Sequence, residues 1–317
     1  MNNLIAVNPY HLSTLRLGQI LFIPLFFGIL IYVYFHASLP PSEYTLKLFY
    51  IGMVFDFIHI VSTSVYVRTK LFDVKKLTLS YYISYIAIAI FFNYMLFFID
   101  RNLFISTLAY LVLFHTVRQQ VGWLRNSFDT KIQRFSYFAY EVLVYSLSIL
   151  PILYWQTGVT TIGKNYIFNN SIYYFLPASL ALPILILMFV TCAVCLTWIM
   201  VTRSLYFKPL LVALHTSVMY AVGLILNTEP IYFAFILVWA HAGGYLMFLL
   251  TQPQNNSHIK SHAKIFFAVL TVGITALVFL VSSKLESILL LLPLRMAPST
   301  AHVIFDTIIW KTRKIKT

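Results

Sequence analysis

The sequence predicts an all-α protein: a polytopic integral membrane bundle of about nine or ten transmembrane helices, with its N-terminus in the cytoplasm. Of its 317 residues, 60% are hydrophobic and only 10% are charged, whereas soluble domains carry about 25% charged residues. The apolar residues fall into long runs, and a helix needs roughly 20 of them to cross a membrane. Short polar loops separate these runs, so we expect one transmembrane domain over residues 1–317.

Nine apolar segments can be placed along the chain. They cover residues 16–36, 47–67, 77–99, 102–124, 135–155, 172–201, 208–226, 231–251 and 265–282. The segment 172–201 is longer than one crossing requires and contains Pro177 and Pro183. We therefore expect it to tilt or to begin with a piece at the membrane interface.

Two interpretations of the C-terminal part remain open. In the favoured one, Pro293 and Pro298 interrupt the apolar run, so that a short tenth span at 285–297 is followed by the basic segment 299–317, which forms an amphipathic helix on the membrane surface. In the other, 285–310 crosses as one kinked helix, which places His302 and Asp306 inside the membrane.

Basic residues lie mainly in alternate loops. The loops 68–76 and 125–134 and the tail 311–316 are rich in Lys and Arg, so the positive-inside rule places them and the N-terminus in the cytoplasm. We expect a multi-pass protein of a bacterial inner (plasma) membrane. The net charge of +13 is spread between apolar segments and does not predict nucleic-acid binding. The expected partners are membrane lipids and a hydrophobic small-molecule substrate, and the oligomeric state stays open.

Polar residues interrupt the apolar pattern most strongly in the stretch Leu111–Arg125, LVLFHTVRQQVGWLR. On a helix, His115, Arg118 and Gln119 lie close to one face. Charged and strongly polar side chains cost several kcal/mol each in lipid, so they normally face a protein interior or a wet cavity. The stretch therefore predicts a functional site inside the bundle.

Six ionisable residues on five predicted helices fall at a similar depth. Counting about 1.5 Å per residue from the cytoplasmic end of each helix places them roughly 10–18 Å deep. They are Asp56, His59, His115, Glu141, His215 and His241. Imidazole and carboxylate groups at one level of a helix bundle predict a metal site between the helices.

The predicted metal ligands are His59, His115, His215, His241 and Asp56. The carboxylate of Asp56, one turn before His59, could be a ligand or could hold the imidazole as a hydrogen-bond acceptor. A mixed set of this kind suits iron, with zinc or another divalent metal as the alternative. Haem is less favoured, because bis-histidine ligation does not require the carboxylates. None of these histidines belongs to an HxxH, HxxxH or HExxH motif, so the prediction depends on the shared depth.

The predicted catalytic residues are Arg118, Gln119 and Glu141. Arg118 would pair with a carboxylate of the site or hold an anionic group of a lipid or substrate. Gln119 follows His115 by one turn. Glu141 would complete the metal shell or form an ion pair with Arg118 or Arg134.

These residues favour an integral-membrane metalloenzyme: a non-haem iron oxidase or oxygenase, or a metal-dependent hydrolase, with its site in the cytoplasmic half of the bilayer and a lipid-soluble substrate. In overall pattern the chain resembles polytopic histidine-ligated iron oxygenases such as the bacterial carotene-cleaving proteins. No motif matches residue by residue, so this resemblance implies no residue roles. The alternatives are a metal-ion or proton transporter or channel that uses the same residues, a bis-histidine haem b protein, and a structural scaffold.

Overall fold

The computed structural model describes residues 4–5, 13–40, 43–44, 47–48, 51–52, 55–56, 58–60, 79–128, 132–159, 175–225, 230–251, 293, 300 and 302. These residues form an all-α bundle, which confirms the predicted fold class. Four of the helices are long and apolar enough to cross a membrane, as in a multi-pass membrane protein. The predicted spans 265–282 and 285–297 or 285–310 lie outside the described residues apart from single positions, and 47–67 is described only in part.

Seven longer helices occur in the described chain, and we number them in chain order. They are α1 (Thr14–Ser38), α2 (Leu79–Ile99), α3 (Arg101–Asn126), α4 (Arg134–Gln156), α5 (Ala181–Val201), α6 (Phe207–Ile225) and α7 (Pro230–Thr251). A π-helical stretch, Val218–Val222, lies within α6. An antiparallel pairing of β1 (Leu4–Ile5) with β2 (Ile132–Gln133) precedes α4.

Within the segment expected at 172–201, residues 175–177 are not helical. Pro177 is extended, with φ −67° and ψ 146°, and a 3-10 turn (Ala178–Leu180) leads into α5. Proline cannot donate a backbone hydrogen bond and disfavours helix in the residue before it, so the helix starts after Pro177. The outward side of α5 is apolar and exposed, for example at Phe189 and Val201, as in a membrane helix that faces lipid.

A tight turn at Asp100 joins α2 to α3. Oδ1 of Asp100 accepts hydrogen bonds from the backbone N–H groups of Asn102 (2.7 Å) and Leu103 (3.4 Å). These are donors that the first turn of a helix leaves without intrahelical partners. The turn thereby sets α2, which carries the buried Asn93, beside α3, which carries the buried His115.

Helices α1 and α7 approach each other closely because glycines stand at their contact. A Cβ atom at Gly243 would lie 2.6 Å from Cβ of Pro24, and one at Gly28 would lie 2.9 Å from Cδ1 of Trp239. Small residues at helix contacts are the usual means of close packing in membranes. Here they fix the position of α7, the helix that carries the buried His241.

We expect Gly243→Ala to destabilise the bundle, because the added Cβ has no space beside the rigid ring of Pro24. Overpacking of this kind costs about 1–3 kcal/mol, so the unfolding temperature in detergent should fall by several degrees. Gly18→Ala on α1 is the matched control, since nothing lies within 4 Å of its added Cβ. That change should be neutral or slightly stabilising. Equal unfolding temperatures for the two variants would contradict the close contact.

Candidate metal centre

Four buried histidines converge inside the bundle: His59, His115 on α3, His241 on α7, and His302. One ring nitrogen from each lies within 4.8 Å of those from the other three. Their exposed fractions are between 0% and 6%, so neither lipid nor bulk water surrounds them. Four imidazole nitrogens at this spacing could bind a metal ion.

The four rings form two close pairs. Nε2 of His115 lies 3.1 Å from Nε2 of His241, and Nε2 of His59 lies 3.0 Å from Nε2 of His302. The pairs also contact each other edge-on: the ring centroids of His59 and His241 are 4.6 Å apart, and those of His115 and His302 are 5.0 Å apart. Two N–H···N hydrogen bonds would explain the pairs, but they would not require both pairs to pack together.

The spacing within each pair matches ligands on one metal ion. Imidazole nitrogens bind zinc at about 2.0–2.1 Å, so two of them at a right angle lie about 3 Å apart, and two in tetrahedral geometry lie about 3.4 Å apart. The observed 3.0 and 3.1 Å agree with the right angle. Each pair therefore has a spacing that two neighbouring ligands of one metal ion could take.

Gln119 fixes the position of the proton on His241. Oε1 of Gln119 is hydrogen-bonded to Nδ1 of His241, and Nε2 of Gln119 donates to the backbone oxygen of His241 at 3.3 Å. Because the amide donates through its nitrogen, its oxygen accepts the proton from Nδ1. Neutral His241 then presents the lone pair of Nε2 to the other histidines, which is the form that binds a metal.

Asn93 on α2 binds the C-terminal segment that carries His302. Its Nδ2 donates to the backbone oxygen of Pro293 at 3.0 Å, and its Oδ1 accepts from the hydroxyl of Thr300 at 3.3 Å. Asn93 is fully buried, and a buried amide needs such partners. The second bond lies two residues before His302, so α2 helps to position this histidine without supplying a ligand.

His215 on α6, a predicted ligand, lies outside the four-histidine group. It is buried, but its Nδ1 is 3.1 Å from Oε1 of Gln120. Its ring packs edge-on against Phe22 of α1, with centroids 5.7 Å apart. A depth estimate gives the level of a residue but not its direction around the helix axis, and this direction places His215 beside Gln120.

The two predicted acidic residues do not join the group either. Among the residues that the structure describes, the converging set contains histidines alone. Asp56 is half-buried, one turn before His59. Glu141 on α4 has a side chain that is 22% exposed, and it pairs with Arg125 at 3.4 Å rather than with Arg118. Its charge is thus balanced at the side of the bundle, away from the histidines.

Of the three predicted catalytic residues, only Gln119 contacts the four-histidine group. Arg118 lies with its guanidinium carbon 5.7 Å from the ring centroid of Phe114, and it lines a cavity between α3 and α4. His115 does not line that cavity. Arg118 and His115 therefore serve different surfaces of α3.

His302 completes the group, although no role for it can be predicted from its sequence pattern. The favoured interpretation placed 299–317 on the membrane surface, whereas the alternative of a kinked helix placed His302 inside the membrane. The sequence does not define the depth of His302 in the membrane, because a depth is counted from a cytoplasmic helix end and this segment has none that the sequence defines. The one sequence feature that could have indicated a buried position for His302 is its local sequence, AHVIF, in which the histidine stands among apolar residues.

The fold and the site together define a class: a multi-pass helical membrane protein with a buried four-histidine group that could bind a metal ion. No known protein family, characterised protein or solved structure matches the chain. The assignment of a function therefore depends on the geometry of the histidines and on the membrane fold.

We expect His302→Ala to abolish stoichiometric metal binding and His215→Ala to retain it, because His302 belongs to the converging group and His215 does not. The measurement is the metal content of each purified variant after loading with Fe(II) or Zn(II) and removal of unbound ions. His59→Ala serves as a second variant that should lose the metal. If His215→Ala lost the metal while His302→Ala kept it, the composition of the group would be wrong.

Proposed function

We propose that the chain is an integral-membrane metalloenzyme whose four-histidine group binds a non-haem iron ion and oxidises a lipid-soluble substrate. The main support is the convergence of His59, His115, His241 and His302 within 4.8 Å, at buried positions in a membrane bundle. Burying polar groups among apolar side chains is costly unless each has a partner. One metal ion would be a partner for all four nitrogens.

Iron is the proposed metal because oxidation of a substrate by O₂ requires open positions on the ion. Four histidine ligands on an octahedral ion would leave two positions open, and open positions beside histidine ligands are found in non-haem iron oxygenases. A closed tetrahedral zinc site has no open position. Imidazole also binds copper and nickel, so the identity of the metal has to be measured.

The distances between the histidine nitrogens within each pair disfavour haem. The two axial nitrogens of a bis-histidine haem lie on opposite sides of the iron, about 4 Å apart if each bond is about 2.0 Å. The two pairs here are closer, at 3.1 and 3.0 Å. The ring centroids of His59 and His115 also lie 4.6–5.0 Å from those of both His241 and His302, which leaves no room for a porphyrin between the rings of these pairs.

Oxidation is favoured over hydrolysis because, among the described residues, the converging group contains no carboxylate that could act as a base. Hydrolytic metal sites usually combine the ion with a side chain that takes a proton from water. Within the described residues the group consists of histidines, and Glu141 is paired with Arg125. A bound iron(II) ion would supply the activation of O₂, while Gln119 orients His241 and the apolar helices exclude bulk water.

The proposed substrate class and location follow from the burial of the group inside the bundle. A hydrophobic molecule can approach an intramembrane site from the lipid, whereas a charged one would lose its hydration on the way. The basic loops support an orientation in which the site is nearer the cytoplasmic face of a bacterial inner membrane. The proposed partners are therefore membrane lipids and a hydrophobic small molecule.

Elemental analysis, absorption spectroscopy and oxygen consumption of detergent-purified protein test the proposal. We expect about one iron per chain, no Soret band, and O₂ consumption on addition of a total membrane-lipid extract. His115→Ala should lose both the iron and the oxygen consumption. A Soret band would indicate haem. Metal uptake into proteoliposomes without O₂ consumption would indicate transport, and absence of metal after chelator-free purification would contradict the proposal.

We expect Gln119→Leu to weaken metal binding by about 10–100-fold, because His241 loses the group that fixes its proton and its ring orientation. The measurement is the Kd for Fe(II) or Zn(II) by competition with a chelator. Gln120→Leu is a matched control: it removes an equally buried glutamine one residue away, which contacts His215 and not the four-histidine group. Similar losses in both variants would show general damage to the bundle rather than a positioning role.

A further inference from the structure

A cavity lies between α3 and α4, apart from the four-histidine group. Its volume is about 480 Å³, within the range of roughly 300–1,000 Å³ that is usual for ligand sites. Its walls contain two guanidinium groups, Arg118 and Arg125, both from α3. No member of the four-histidine group lines it.

The cavity has a cationic end and an apolar end. Arg118 and Arg125 lie two turns apart on α3, which corresponds to about 10 Å along the helix. Beyond Arg118, away from Arg125, the lining residues include Leu113 and Tyr110 on α3 and Ile152 on α4. A molecule that fits both ends must therefore carry an anionic group and an apolar chain.

The two cations differ in their partners. Arg125 has a side chain that is 58% exposed and is paired with Glu141 at 3.4 Å. Arg118 is half-buried, and in the part of the chain that the structure describes no carboxylate lies within 4.0 Å of it. It contacts the ring of Phe114 instead, which offsets the burial of a cation only in part. Arg118 is thus the group that an anionic ligand would neutralise.

We propose that this cavity binds an anionic phospholipid of the cytoplasmic leaflet. The phosphate lies between Arg118 and Arg125, and one acyl chain follows the apolar wall toward Tyr110. Guanidinium groups bind phosphate oxygens through paired, charge-assisted hydrogen bonds. The predicted orientation of α3 places its Arg125 end at the cytoplasmic surface, where membranes carry anionic lipids. A lipid in that leaflet has the same orientation as the cavity: its headgroup lies at the cytoplasmic surface, as the cationic end does, and its chains extend into the membrane, as the apolar end does.

Native mass spectrometry of the full chain, released from detergent with added phosphatidylglycerol or phosphatidylcholine, tests this proposal. We expect the wild-type protein to retain phosphatidylglycerol at least about tenfold more strongly, and Arg118→Gln to lose this preference. Arg16→Gln is the matched control, because it removes one exposed cation outside the cavity. Equal retention of both lipids by the wild type would overturn the proposal, and so would an unchanged preference in Arg118→Gln.

A second variant tests the acyl-chain part while leaving both arginines in place. Ile149→Trp fills the apolar wall of the cavity and should reduce phosphatidylglycerol retention to the level of phosphatidylcholine. Each variant must elute as a single species, with an unfolding temperature close to that of the wild type. Oleate and inorganic phosphate are the competing probes. Displacement of phosphatidylglycerol by oleate at equimolar concentration would overturn the phospholipid assignment, and displacement by phosphate alone would overturn the role of the acyl chain.

Discussion

The burial of four imidazoles in an apolar membrane bundle is the constraint on which the rest of this structure depends. A buried polar group without a partner costs about 1–3 kcal/mol, and a membrane interior offers no water as a substitute. His59, His115, His241 and His302 come from separate parts of the chain, yet their nitrogens lie within 4.8 Å. The helices that carry them must therefore hold their positions to within a fraction of a helical turn.

The close contact of α1 with α7 helps to meet this requirement. Gly243 lies two residues after His241 and against Pro24 of α1, so packing positions the backbone of α7 beside His241. Gln119 then fixes the ring of His241 from α3. Packing sets the backbone and hydrogen bonds set the side chain, and both are needed because an imidazole can rotate on a fixed helix.

The sequence predicted the fold class and a cluster of buried histidines, but not all four members of the group that converges in the structure. Periodicity and charge show where a helix lies and how deep each residue is, and shared depth identified His59, His115 and His241. Depth does not show the direction of a side chain, so the sequence also predicted His215 and Glu141 as members of the site. In the structure His215 contacts Gln120, and Glu141 pairs with Arg125. His302 was left without a role because its segment had no definable cytoplasmic end.

The polar stretch of α3 illustrates why direction matters. Successive residues on a helix are about 100° apart, so neighbours in the sequence contact different parts of the bundle. Gln119 reaches His241, Gln120 reaches His215 on α6, and Arg118 faces the cavity beside α4. Three adjacent residues of α3 therefore contact three different parts of the bundle. A rotation of α3 by one residue, about 100°, would turn each of them away from its partner. The packing that fixes this rotation determines both the four-histidine group and the cationic cavity.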